Sequence, residues 1–173
     1  MKPILKWPGG KSQIVQELKK YITPELLKGN QYIEPFIGGG ALTFDLEHPN
    51  TVIADLKTLD EGYNDGTYIH YHESKNHLTE LTNLYVVVKY NPEGLIKELK
   101  KHQENHCSDY YYEVRAWDRD PSFWNLSSDV IAARTIYLNK TCFNGLYRVN
   151  SKGYFNSPIG RSSSGKTPDI VQE

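Results

Sequence analysis

Two short runs carry the residues best suited to holding a charged ligand. The first, ILKWPGGKSQ at residues 4–13, combines an indole, two glycines and a lysine and ends in Gly-Lys-Ser. Gly-Lys-Ser closes a phosphate-binding loop only when another glycine stands five positions before its own. That position is Leu5 and no strand precedes it, so the phosphate-loop reading fails on spacing. A better letter match is GRSSSGKT at residues 160–167, but Pro168 follows it and six residues remain, too few for the helix that would hold a phosphate. The second run, EPFIGGGAL at residues 34–42, places glycines just past a short apolar strand, where a backbone can approach a ligand closely. Its spacing is F-x-G-x-G rather than G-x-G-x-x-G, which disfavours a nicotinamide cofactor. Asp55, at the end of the next strand, stands where a doubly wound sheet reads ribose hydroxyls; a plain strand-end cap is the competing role.

The elements that position these residues follow from periodicity. Ser12 is placed to cap a helix with Ile14, Val15, Leu18, Tyr21 and Ile22 on one face, closed by Pro24. Strands are predicted over 31–34 and 51–54, with a helix between them over ALTFDLEH. Strand, glycine turn, helix, strand and acid together open a doubly wound α/β sheet. Beyond it the chain is mainly helical. Leu78, Leu81, Leu84, Tyr85 and Val88 recur at helical spacing, and Asn91-Pro92 starts a helix as cap and first residue, with Leu95, Ile96 and Leu99 inward. Further helices are expected over 108–117 and 128–138, and loops or a hairpin from Thr141. The segment 56–77 fits neither side. Its His70, His72 and His77 lack acidic or cysteine partners at metal-ligand spacing, so an exposed hairpin is favoured over a metal site.

Composition narrows the class. The 173 residues are 38% hydrophobic and 24% charged, with net charge -1, which suits one soluble domain and excludes a generally cationic nucleic-acid binder. No apolar run is long enough to span a bilayer. Two cysteines, Cys107 and Cys142, are too few for a disulfide framework and point to a reducing, cytoplasmic setting. One bias is local: residues 138–167 contain no Asp or Glu but hold Lys140, Arg148, Lys152, Arg161 and Lys166.

KWPGGKSQ, IEPFIGGGAL, VIAD and YLNKTCFNGLYRVNSKGYFNSPIGR, in this order, resemble the Dam-type adenine-specific DNA methyltransferases. That family includes the orphan methylase and GATC-recognising partners of restriction enzymes. The resemblance covers residues 1–55 and 78–169. It implies a Rossmann-like S-adenosylmethionine-dependent methyltransferase fold: residues 1–77 as arm and first βαβ part, and 78–173 as a mainly helical DNA-recognition subdomain with a basic loop. The cofactor contacts it implies fall on Trp7, Lys11 and Asp55, with Glu34, Pro35, Phe36, Gly38 and Gly40 in the strand end and loop beneath the methionine half. Trp7 would offer a π-face or apolar wall and Lys11 would meet the ligand carboxylate, while the glycine pair lets the arm pass close over the sheet. Double-stranded DNA is the implied partner, with GATC the family's commonest target. Arg148 has the fork suited to guanine O6 and N7. Phe143 and Asn144 follow the family's aromatic–amide pair that fills the gap left by a flipped base, and Lys6, Lys140, Lys152 and Arg161 suit phosphates or flanking bases.

The chain also departs from that family. The catalytic tetrapeptide Asp-Pro-Pro-Tyr normally lies downstream of NSPIGR and does not occur here; Asp120-Pro121 is followed by Ser122 and Phe123. No catalytic residue and no metal ligand is therefore assigned. The sheet is expected to be incomplete and the chain to resemble the N-terminal part of such an enzyme, its activity needing the other half. A non-catalytic DNA-binding or regulatory remnant is the alternative. Residues 56–77 stand as an insertion beside the ribose pocket, and NSPIGRSSSGK replaces a more aromatic and basic tail.

Overall fold

The computed structural model describes residues 3–55 and 80–160. The segment 56–77, with its three histidines, lies outside them, as do Arg161 and all of the 160–167 loop after Gly160. Strands β1 (Tyr32–Glu34) and β2 (Thr51–Ile53) pair in parallel, Tyr32 opposite Thr51 and Glu34 opposite Ile53. Among the described residues this two-stranded sheet is the only one. The ladder continues into the glycine loop through Ala54 N–H to Glu34 O and Ile37 N–H to Ala54 O, both 2.9 Å. A short helix, Ala41–Leu46, joins the strands, so strand, glycine loop, helix and strand stand as the sequence predicts.

The N-terminal segment departs from expectation. A 3-10 turn over Lys11–Gln13 leads into the one-turn helix Val15–Leu18, and Ser12 lies inside the turn rather than capping it. Val15 is buried but Ile14 and Tyr21 are exposed. Pro24 does not end that helix; it opens another, Pro24–Leu27, capped by Thr23. Proline fits a first helical turn because its missing N–H would have had no partner there.

Among the described residues four longer helices follow: Glu80–Tyr90, Pro92–Asn105, Ser108–Ala116 and Ser128–Thr141. We number the helices α1 to α7 in chain order, these four being α4 to α7. Asn91 caps α5 as predicted, its side-chain oxygen accepting from Gly94 N–H at 3.2 Å. Leu95 and Leu99 are buried, but Ile96 is exposed, a correction to its inward placement. No helix among the described residues is long and apolar enough to cross a membrane.

The core sits around α7, which α4, α5 and α6 surround. Its residues from Ile131 to Asn139, and Thr141, are all buried, four of them polar or charged. A helix buried on every side must pair each polar group internally. Thr135 and Thr141 donate to carbonyls one turn back, Ile131 O at 3.0 Å and Tyr137 O at 2.6 Å. Asn139 and Arg134 bond to distant chain segments described below. Leu5 and Ile37 join the same core, which ties the arm and the glycine loop to the helices.

One buried titratable group sets a pH limit on this core. His102 of α5 is 3% exposed, stacks on Tyr137 at 4.6 Å and hydrogen-bonds the Tyr110 hydroxyl at 2.8 Å. Burial lowers its pKa from 6.5 to about 4; Glu98 opposes the shift and Arg134 and Lys101 add to it. A depressed histidine pKa stabilises the fold fully above pH 6.5, because only the unfolded chain gains the proton as pH falls. Stability should therefore drop between pH 6.5 and 4, by on the order of 3 kcal/mol. Urea unfolding across that range checks it, and His102→Gln should flatten the profile.

Candidate functional site

The stretch WPGG forms a type II turn: Gly10 N–H donates to Trp7 O at 3.0 Å, with Pro8 and then Gly9, at φ 71°, in the central positions. Only a residue at ease with positive φ suits the Gly9 position. This first glycine pair thus shapes the turn. The close approach to the sheet belongs to the second set. A Cβ on Gly38 would stand 3.2 Å from Trp7 Cδ1, and one on Gly39 would stand 3.2 Å from Trp7 Cβ. The glycines let the indole lie directly on the loop backbone.

Three more side chains reach the same loop. Asp55 Oδ2 accepts from Gly38 N–H at 2.7 Å, and the Tyr85 hydroxyl donates to Gly38 O at 2.7 Å. Burial, with Asp55 and Glu34 nearby, raises the Tyr85 pKa, so the phenol keeps its proton to donate. Lys11 Nζ donates to Phe36 O and pairs with Glu34 Oε1 at 3.0 Å. Glu34 is buried at the end of β1, and its other oxygen accepts from Thr43 N–H (3.1 Å), Thr43 Oγ1 (2.5 Å) and Tyr32 Oη (3.1 Å). It braces Lys11 and the helix Ala41–Leu46. Trp7, Lys11, Glu34, Gly38 and Asp55 are thus brought together, while Pro35 and Phe36 project as an exposed corner and Gly40 closes the loop by donating to Ile37 O.

The loop thus gathers an apolar indole wall, a braced ammonium and a strand-end carboxylate, a set able to meet a ligand with an apolar body, an anionic group and hydroxyls. A cleft of about 720 Å³ runs along the arm, lined by Leu5, Lys6, Trp7, Gly9, Gly10 and Gly39 among others. The cleft takes in the Trp7 and Gly39 side of the loop, and Glu34, Phe36 and Asp55 lie beyond its lining.

The basic segment folds as a turn and a hairpin. Phe143–Gly145 is a 3-10 turn after α7, with Phe143 52% exposed and Asn144 at φ 56°, a left-handed conformation that asparagine tolerates. Asn139 ties this turn to the arm. Its oxygen accepts from Lys6 N–H at 3.0 Å, and its amide nitrogen donates to Lys6 O at 2.7 Å and Gly145 O at 3.2 Å. Val149 and Phe155 bridge antiparallel, and Asn150 turns the tip by accepting from Lys152 N–H and Tyr154 N–H. Arg148 Nε donates to Asn156 Oδ1 at 3.0 Å, across the hairpin. Lys6, Lys140, Phe143, Asn144, Arg148 and Lys152 are all exposed on or beside this segment.

Sequence reasoning missed the residues that hold the two surfaces. Tyr85 grips the glycine loop, Asn139 joins arm to turn, and Tyr147 stacks on Trp7 at 5.2 Å. A fully buried arginine, Arg134, pairs with Asp118 at 2.9 Å and Glu80 at 3.4 Å. Its signal was legible: one charge inside the apolar run VIAARTIYL.

Comparison with known proteins places the chain. The family of D12 class N6 adenine-specific DNA methyltransferases matches residues 7–60 and 75–171. A Type II methyltransferase of Lactococcus lactis, M1.LlaDCHI, is 40% identical over the whole of this chain and 51% of its own length. M.MjaIII of Methanocaldococcus jannaschii is 37% identical, over the whole chain and 56% of its own length. The DNA adenine methylase of Haemophilus influenzae is 32% identical over 92% of this chain and 47% of its own. This chain belongs to the D12 class adenine-specific DNA methyltransferase family. It spans about half the length of the relatives it matches.

Proposed function

We propose that these residues form the donor-binding and DNA-recognising part of a site-specific DNA adenine methyltransferase, which methylates the adenine amino group. The observation that carries this is the convergence of Trp7 and Lys11, from the N-terminal arm, and of Asp55, from the end of β2, on the loop 36–39. The parallel pair and its glycine loop are read as the opening of a Rossmann-like sheet, with 1–77 and 78–173 as the two functional parts. S-adenosylmethionine supplies a methyl group made electrophilic by its sulfonium. Toward it, Trp7 presents an apolar indole wall and Lys11, braced by Glu34, an ammonium for the carboxylate. A carboxylate has about four acceptor positions, so Asp55 can hold Gly38 and still accept from ribose hydroxyls. Asp-Pro-Pro-Tyr, which the family uses to bind the acceptor amino group, does not occur in these 173 residues, and its role is assigned to a further polypeptide segment. A reducing cytoplasm is the proposed compartment.

On the DNA side, Arg148 reads a guanine edge, Phe143 and Asn144 fill the gap left by the flipped adenine, and Lys6, Lys140, Lys152 and Arg161 meet phosphates or flanking bases. GATC is the proposed target. Titration of matched and mismatched duplexes across salt concentrations tests this. Arg148→Ala should cost about 1–3 kcal/mol on the matched duplex and relax the preference for it. Lys140→Ala should weaken every duplex alike and lower the salt slope by about one. Equal, sequence-blind losses from both variants would overturn the assignment of Arg148.

A further inference from the structure

An unbroken line of contacts joins the glycine loop to the hairpin. On one side the Trp7 indole packs on Gly38, with Trp7 Cβ over Gly39; on the other it stacks on Tyr147, with rings 5.2 Å apart and 23° from parallel. Tyr147 immediately precedes Arg148, packs on Phe155 at 4.8 Å and donates its hydroxyl to Glu80. Glu80 in turn holds Arg134 at 3.4 Å and Thr135 Oγ1 at 3.3 Å. Arg134 pairs with Asp118, whose Oδ2 accepts from Phe155 N–H at 2.7 Å and so closes the circuit on the hairpin.

A ring that only filled the core would need no hydroxyl. Here the hydroxyl is tied to a carboxylate that a buried guanidinium already fixes, and such a network holds one orientation of the ring. Burial, reinforced by Glu80, raises the Tyr147 pKa well above the usual phenol value, so it remains the donor.

We propose that Tyr147 is a positioning residue: anchored on Glu80, it holds Trp7 against Gly38 and Gly39 and thereby sets the donor site and the Arg148 hairpin together. This rests on the assignment of Trp7 to the donor site. Its consequence is coupling, since a ligand that fixes Trp7 also fixes the segment bearing Arg148. Reciprocity requires duplex binding to tighten the donor by the same factor, about 5–150-fold for typical coupled sites.

The first test needs no ligand. Hydrogen exchange read by mass spectrometry compares the wild type with Tyr147→Leu, which removes the ring, and Tyr147→Phe, which keeps it but loses the anchor. Tyr147→Leu should speed exchange over residues 5–10 and 36–40 by about tenfold or more while leaving α5 at its wild-type rate. Tyr147→Phe should fall between the two. Wild-type exchange at 5–10 and 36–40 in Tyr147→Leu would overturn the proposal, as would equal loosening of α5, which marks plain core filling. Should Tyr147→Leu not fold, Tyr147→Phe decides, and a wild-type rate over residues 5–10 in that variant overturns the proposal.

The second test titrates S-adenosylhomocysteine into the protein supplemented with a polypeptide carrying Asp-Pro-Pro-Tyr, with and without duplex. The mutual enhancement should fall toward one in Tyr147→Leu, and retention of the full wild-type factor overturns the coupling. The expected exchange changes without any S-adenosylhomocysteine binding would refute the donor-site reading and leave the positioning role intact.

Discussion

Replacing Arg134 by methionine is expected to remove about 3–5 kcal/mol of folding stability, the largest loss from any single side chain in this core. The guanidinium has no solvent exposure, and it donates to Val114 O and Arg115 O at 3.0 Å as well as to Asp118 and Glu80. Burial acts to lower its pKa, but Glu80, Tyr147 and Asp118 outweigh burial, so the value is raised and the charge persists. Without it, two carboxylates and two carbonyls lose a buried partner, and unpaired buried charge is the costly outcome. Arg119, which pairs with Asp118 at 2.6 Å, remains to offset part of the loss. Urea unfolding measures the effect through the midpoint at constant slope. Adding Asp118→Asn to Arg134→Met should recover part of the loss, because it removes one of the stranded charges. A loss below about 1 kcal/mol for Arg134→Met would mean that Arg119 and Tyr147 satisfy the carboxylates alone.

How much of this was legible in the sequence depended on the range of the interaction. The glycine loop between two short strands, the Asn91-Pro92 helix start and a hairpin in the basic segment follow from local chemistry, and each stands where it was expected. The helix expected over 12–22 did not form as one piece. Its apolar spacing was helical, but Ile14 and Tyr21 find no core to face, and Pro24 served as a helix start. Ile96 erred the same way, since periodicity cannot say how wide a stripe the neighbouring elements cover. The site shows the same division. Motif order singles out Trp7, Lys11 and Asp55, and the structure adds that all three touch one loop. Tyr85, Asn139, Tyr147 and the Arg134 network were missed because their partners are remote: Glu80 lies 54 residues from Arg134, and Lys6 133 from Asn139. A lone arginine in an apolar helix signals that a partner exists without saying which.

The second large effect concerns turnover. Methyl transfer to adenine needs the acceptor nitrogen held in line with the donor methyl and its amino protons hydrogen-bonded. Among the described carboxylates, Asp55 holds Gly38 and is assigned to the ribose side of the donor, and Asp118 is held by Arg134, Arg119 and Phe155 N–H. Asp120, the one aspartate followed by proline, caps its own 3-10 turn by accepting from Ser122 N–H at 2.8 Å. None of these three is assigned to the adenine amino group, and Asp-Pro-Pro-Tyr does not occur, so these 173 residues alone are expected to transfer no methyl group. A second polypeptide carrying Asp-Pro-Pro-Tyr should restore transfer, with Trp7 and Asp55 both required.

The most direct measurement is tritium transfer from labelled S-adenosylmethionine to unmethylated GATC-containing DNA, by this chain with and without that second polypeptide. The expected result is no incorporation by the chain alone and incorporation by the pair, lost in Trp7→Ala and in Asp55→Ala. Incorporation by the chain alone, or undiminished transfer by the pair in both variants, would contradict the account.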